Sequence, residues 1–209
     1  MVAPSTWEVP RRDDSILGPR CVRPARRDAR PATTQRPGVN LMMAPGAGTH
    51  TEEQRQVFMR AALAQAQLAR EVGEVPIGAV VVFGEAIVGR GFNQPIRTSD
   101  PTAHAEIVAL RDAAGARGNY RLVGATLYVT VEPCLMCAGA LVHARIDTIV
   151  YGTPEPKAGA IVSTARALEH PALNHRVGAV GGILERECRG LVQDFFEARR
   201  VRPGSRDGF

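Results

Sequence analysis

Two short stretches constrain this chain more than anything else in it: His104-Ala105-Glu106 and Pro133-Cys134-Leu135-Met136-Cys137. Each directly follows a loop or a strand-like run, and each stands where a helix is expected to begin. Separately they are weak signals. H-x-E recurs by chance, and a lone C-x-x-C fits a thiol redox pair, half of a structural zinc site or two buried thiols. Together they supply one imidazole and two thiolates, borderline-to-soft ligands suited to Zn²⁺. Three protein ligands with a fourth position open is the count of a catalytic site, not a closed one. Cysteines at i and i+3 of a first helical turn face the same way, so both sulfurs reach one ion. Any fold that uses these residues must bring two helix starts together.

The pattern around the motifs supports such a fold. Thr51-Glu52-Glu53-Gln54 matches a capping box, with Thr51 as N-cap, and is followed by Val57, Ala61, Ala64, Leu68 and Val72 at helical spacing. Gly73 is expected to end that helix. The β-branched run Ile77–Phe83 reads as a strand covered on both faces. Gly84-Glu85 turns it into a second strand over Ile87–Phe92, making a hairpin. After a loop over Asn93–Asp100, Pro101 is expected in the first turn of a helix running through His104 to Gly115. Thr126–Val131 is a strong strand, Pro133 opens the second motif's helix, and Ile149–Tyr151 is a short strand beyond it. Leu184, Cys188, Leu191 and Phe195 share one face of a terminal helix ending in Arg199, Arg200 and Arg202.

Charge separates the N-terminal stretch from the rest. Residues 1–50 carry eight Arg against four acids and seven Pro, with no sustained period, and are expected to be a disordered extension. Met42 or Met43 is an alternative start. Residues 51–209 are nearly neutral, and Lys157 is the only lysine in the chain. The expected domain spans residues 51–202, with a flexible tail over 203–209. No apolar run approaches the roughly 18 residues that cross a bilayer, and residues 1–30 lack a signal-peptide core, so no membrane association and a cytoplasmic location are expected. Four cysteines are too few for a disulfide scaffold in 209 residues.

The metal reading assigns a further role. Helix N-termini aimed at the ion favour thiolates and help bring a bound water's pKa towards roughly 7. Glu106, two residues from the ligand His104, is placed to reach that water without ligating zinc, and to pass its proton to a ring nitrogen and then to a departing amine. H-x-E with P-C-x-x-C is the described signature of zinc deaminases. The zinc chemistry alone leaves cytidine, deoxycytidylate, guanine and adenosine open as substrates.

Val75 to Val150 closely resembles the bacterial tRNA adenosine deaminase family, within the cytidine deaminase-like superfamily. The shared stretches are V-P-I-G-A-V at 75–80, N-Q-P-I at 93–96, D-P-T-A-H-A-E-I at 100–107, N-Y-R-L at 119–122 and A-T-L-Y-V-T-V-E-P-C-L-M-C-A-G-A at 125–140. H-P-A-L-N-H-R-V at 170–177 and D-F-F-E-A-R-R at 194–200 extend it across essentially all of 51–202. The resemblance implies a three-layer α/β/α fold with a mixed central sheet, one Zn²⁺ per subunit and a homodimer. It also implies deamination of the wobble adenosine in a tRNA anticodon stem-loop to inosine, with the base splayed into a pocket over the zinc. By the same resemblance Asn93 meets the target nucleotide, Asn174 and Arg176 lie beside the anticodon loop, and Lys157 matches a lysine that approaches tRNA, although Pro154-Glu155-Pro156 departs from the family pattern. Phe196, Arg199 and Arg200 combine stacking and phosphate contact, while Phe195 belongs to the core. A small-molecule guanine or deoxycytidylate deaminase and a non-catalytic zinc- and RNA-binding subunit are the alternatives; Glu106 argues against the latter, since a structural site needs no proton shuttle.

Overall fold

The computed structural model describes residues 50–200. The expected extension, His50 apart, and the expected tail over 203–209 lie outside the described residues. Their order is α1 (Glu52–Glu71), β1 (Gly78–Phe83), β2 (Ala86–Phe92), a single helical turn α2 (Pro95–Thr98), α3 (Ala105–Arg117), β3 (Ala125–Val131), α4 (Leu135–Ala144), β4 (Thr148–Thr153), a 3₁₀ turn (Ala167–Glu169), β5 (Gly178–Gly181) and α5 (Glu185–Arg200).

The five strands form one sheet in the order β2-β1-β3-β4-β5. β1 is antiparallel to β2 and β3, whereas β3, β4 and β5 run parallel, so the sheet is mixed. Alternation along the strands sorts the side chains into two cores. Ala79, Val81, Leu127, Val129, Ile149 and Tyr151 pack with α3 and α4. Val80, Val82, Tyr128 and Val150 face the other way, onto Phe58, Met59 and Ala62 of α1 and Cys188 of α5. Helices therefore cover both faces, the expected three layers. β3 is buried along its whole length, which is why it reads as a continuous apolar run.

The capping box forms as expected: Thr51 Oγ1 accepts from the Gln54 N–H, and Gln54 Oε1 accepts from the Thr51 N–H. The buried face of α1 differs from the expected one. Phe58, Met59, Ala62, Ala66 and Ala69 point inward, while Val57, Leu68 and Val72 are exposed. The reason is close approach to the sheet. A Cβ on Gly78 would stand 2.2 Å from the Ala62 carbonyl oxygen and 2.3 Å from the Ala66 nitrogen. Only small side chains fit beneath α1, and alanines carry little weight in a hydrophobic period. Gly78→Ala is accordingly expected to cost about 3 kcal/mol, because the obstacle is backbone and cannot swing aside; urea denaturation checks it.

His50, at the edge of the expected extension, is part of the packed structure. It hydrogen-bonds through Nε2 to the Gly84 carbonyl (2.7 Å) and through Nδ1 to the Tyr128 hydroxyl (2.7 Å), with Phe58 against both rings.

Two helix starts differ from expectation. α3 begins at Ala105, with His104 as an extended N-cap, and not near Pro101. Asp100 captures the turn instead, accepting from the N–H (2.8 Å) and hydroxyl (2.7 Å) of Thr102. α3 also runs on to Arg117 and ends on Gly118 at φ +62°, past Gly115. α4 begins at Leu135 with Cys134 as its N-cap, not at Pro133. The Pro133 carbonyl accepts from Ala160 in a distant loop, and the first helical bond is Ala138 N–H to Cys134 O. The loop over 93–100 gains α2, and β5 and the 3₁₀ turn come from a stretch with too few large apolar residues to signal them.

Candidate metal centre

α3 follows β2 and α4 follows β3, so both helix starts emerge at one end of the sheet. His104 and Cys134 occupy equivalent N-cap positions, extended at φ −69° and −73°. N-caps favour Ser, Thr, Asp or Asn, whose oxygens accept from the first helical N–H groups. Neither residue makes such a bond. Both side chains are left free to turn towards each other, which gives up local helix stability for a donor cluster. Cys137, three residues beyond its N-cap, stands over the same point from inside α4.

His104 Nδ1 lies 3.6 Å from the Cys134 sulfur and 3.6 Å from the Cys137 sulfur. All three donor atoms lie within 4.8 Å of one another. Tetrahedral zinc with its usual bond lengths separates a nitrogen from a sulfur by about 3.6 Å, so spacing and donor types both fit that ion. Among the described residues this is the His/Cys/Asp/Glu group spaced to hold a metal. A neighbouring thiol donor and the His104 imidazole hold the Cys134 thiol down at about 4, a thiolate at neutral pH. Its hydrogen bond to Cys134, and then burial, push the Cys137 thiol up. The hydrogen bond with Cys134 raises the His104 pKa above its ordinary value.

Glu106 lies in the first turn of α3 and is only 4% exposed. Burial pushes its carboxyl above the ordinary range, against the lowering effect of nearby His104. Such a carboxyl holds and releases a proton more readily near neutrality than an exposed one.

The other residues singled out in the sequence are spread more widely. Asn93 is buried just past β2, its N–H donating to the Ile77 carbonyl. Asn174 is exposed, and its carbonyl and side-chain oxygens both accept from Arg145 at 2.8 and 3.0 Å. Arg176 donates to the His170 and Pro171 carbonyls, closing its own loop. Lys157 is exposed on the loop after β4. Phe195 is buried, as expected, and Phe196 is 44% exposed. Arg199 stacks over the Phe195 ring (4.4 Å) and donates to the Gly73 carbonyl, tying α5 to the end of α1, whereas Arg200 is exposed. Outside that set, His143 is exposed, His175 hydrogen-bonds with the Ile146 carbonyl (2.7 Å), and burial pushes the Cys188 thiol up to about 12.

Sequence reasoning missed Glu132. This carboxylate is 3% exposed and sits directly before the Pro133-Cys134 pair. Its neighbours in sequence gave no sign of its partners, which come from a loop more than twenty residues on.

Comparison with known proteins agrees with this geometry. Residues 52–153 match the cytidine and deoxycytidylate deaminase zinc-binding region. The tRNA-specific adenosine deaminase of Haemophilus influenzae is 48% identical over 144 residues, covering 68% of this chain and 83% of that protein. The Bacillus subtilis protein of the same name is 42% identical over 154 residues, covering 73% of this chain and 96% of that protein. Among solved structures, one from studies of A-to-I editing by tRNA:A34 deaminases superposes with a TM-score of 0.63 at 44% identity, covering 65% of this chain and 98% of that one. A structure in complex with 8-azaguanine superposes with a TM-score of 0.61 at 18% identity, covering 69% of this chain and 85% of that one, and shares the fold alone. With the donor cluster formed at the helix starts and near-half identity across most of the relatives' length, this chain belongs to the tRNA-specific adenosine deaminase family of zinc-binding deaminases.

Proposed function

We propose that the chain deaminates adenosine to inosine at the wobble position of a tRNA anticodon, with residues 51–202 as the catalytic domain. The pairing of a three-donor cluster with a buried carboxyl, Glu106, supports the zinc deaminase chemistry, and the observation that carries the tRNA substrate is the 42–48% identity to tRNA-specific adenosine deaminases. His104, Cys134 and Cys137 hold the zinc. When bound, zinc supplies the Lewis acidity that makes water a nucleophile at neutral pH. Glu106 takes one proton from water and delivers it to the ring nitrogen N1, then takes the remaining proton from the new C6 hydroxyl and delivers it to the exocyclic amine. A C–O bond forms at C6, the C6–N bond breaks and ammonia leaves. The burial that raises Glu106 suits it to both halves of this transfer.

Asn93, buried and fixed by its own N–H, is assigned to the target base. Lys157, Phe196 and Arg200 offer exposed charge and an aromatic face to the RNA. Asn174 and Arg176, engaged with Arg145 and the 170–171 carbonyls, shape that border through their loop. Arg199 is more firmly an anchor of α5. The same reading makes the chain a homodimer, supported by Leu135, Met136 and Val162 standing exposed beside the site. As in the relatives' names, the substrate is tRNA, and a cytoplasmic location belongs to the same reading. No helix among the described residues is long and apolar enough to cross a membrane.

The experiment is inosine formation in an anticodon stem-loop RNA presenting a wobble adenosine, with free guanine and deoxycytidylate alongside. Inosine in the RNA with both small substrates untouched is the expected result. Turnover of a small substrate with unmodified RNA would overturn the substrate assignment and leave the zinc chemistry standing.

A further inference from the structure

Glu132 takes no part in holding the metal or moving the proton, yet it organises an entire loop. Its Oε1 accepts from three successive backbone N–H groups, those of Ile161 (3.0 Å), Val162 (2.7 Å) and Ser163 (2.9 Å). Its Oε2 accepts from the Glu155 N–H (3.0 Å) and from the Ser163 hydroxyl. Five donors converge on one carboxylate. Two acceptor oxygens with no hydrogen of their own can satisfy all five; an amide or a neutral acid places a donor where one of them points.

The loop is shaped for this carboxylate and for the metal centre. A Cβ on Gly159 would stand 2.5 Å from the Glu132 carboxyl carbon, so the chain can pass there only as glycine. Gly159 pairs with Cys134 in an isolated β-bridge, and the Ala160 N–H donates to the Pro133 carbonyl at 2.8 Å. The loop is thus fastened at one point to the carboxylate and at another to the residues on either side of the Pro133-Cys134 bond. Lys157 stands on its exposed side, its N–H held by the Glu155 side chain at 3.0 Å.

We propose that Glu132 is a positioning residue for RNA editing: it holds residues 155–163 in one conformation beside Cys134 and so presents Lys157 to the substrate backbone. This rests on the tRNA reading above. Glu132 acts through the loop and touches no reacting atom. Its loss should therefore appear in substrate binding before it appears in the chemical step, because the loop is fastened to Pro133 and Cys134 independently.

The test uses the full zinc-loaded chain, with Glu132→Gln, Ser163→Ala, Lys157→Ala and the Glu132→Gln/Lys157→Ala pair. KM and kcat on the stem-loop RNA, zinc per chain and amide exchange over 155–163 are measured. Glu132→Gln should raise KM about tenfold with kcat within about threefold and zinc retained, and speed exchange over the loop. Ser163→Ala, which removes one donor and leaves the carboxylate, should raise KM about two- to threefold. Lys157→Ala should weaken binding in the intact chain and add little on top of Glu132→Gln, since residues that act as a unit are not additive. Equal loss of kcat and zinc, or a Lys157 effect undiminished in the pair, overturns the proposal. If Glu132→Gln does not fold, Ser163→Ala with and without Lys157→Ala decides by the same non-additivity. Failure of the intact chain to edit RNA overturns the tRNA reading itself and is seen before any variant is made.

Discussion

Replacing Glu106 by alanine is expected to lower kcat for inosine formation by about a thousandfold or more while zinc stays bound and the fold survives. The magnitude follows from its double duty. In the proposed mechanism one carboxyl moves two protons, from water to the ring nitrogen and from the new hydroxyl to the leaving amine, and a positioned acid–base group contributes about 10²–10⁴ to a single transfer. Retention of zinc follows from the donor set, since His104, Cys134 and Cys137 supply three ligands without it. Stability should hold because a carboxyl pushed up by burial is one that the fold desolvates at a cost, so its removal offsets part of the small cavity it leaves. Glu106→Gln, which keeps the shape, should be as inactive as alanine. Activity within tenfold of the intact chain in either variant would take the proton shuttle away from Glu106.

Cys137→Ala should have a different signature, in which metal, stability and activity fall together. Cys137 is fully buried, and its thiol stands 3.6 Å from His104 Nδ1, so its loss removes one of the three donors of the cluster. Zinc is expected to drop from one per chain to below about a tenth. A ligand present at about a thousand times its dissociation constant contributes about 4 kcal/mol to the folded state, so Tm should fall by roughly 10 °C. Chelation of the intact chain should reproduce both losses, and added zinc should restore the intact chain and not the variant. A metal-free chain that still edits RNA would remove zinc from the mechanism. The contrast between the two variants separates holding the ion from using it.

Much of this site is legible in the sequence alone. His104, Glu106, Cys134 and Cys137 announce themselves because ligand chemistry restricts residue types and because helix starts have local signals. Lys157, Asn174 and Arg176 are less legible: the structure engages the last two with Arg145 and with loop carbonyls, partners that sequence spacing does not specify. Glu132 was invisible in its role, since a carboxylate beside a proline has no local mark of five donors arriving from residues 155–163.

The same division runs through the fold. Strands such as Thr126–Val131, the Gly84-Glu85 hairpin and the Thr51 capping box are written in the sequence because neighbouring residues decide them: a period of two, a turn, a side chain bonding to an N–H three residues on. Which stripe of α1 faces the sheet was decided by Gly78 meeting Ala62 and Ala66, and where α3 and α4 begin was decided by Asp100 holding Thr102 and by Ala160 claiming the Pro133 carbonyl. Those contacts join residues far apart in the chain or settle a competition between two local hydrogen-bonding choices. Local chemistry determined which residues this protein would use, and only the packing of helices on the sheet determined that they meet.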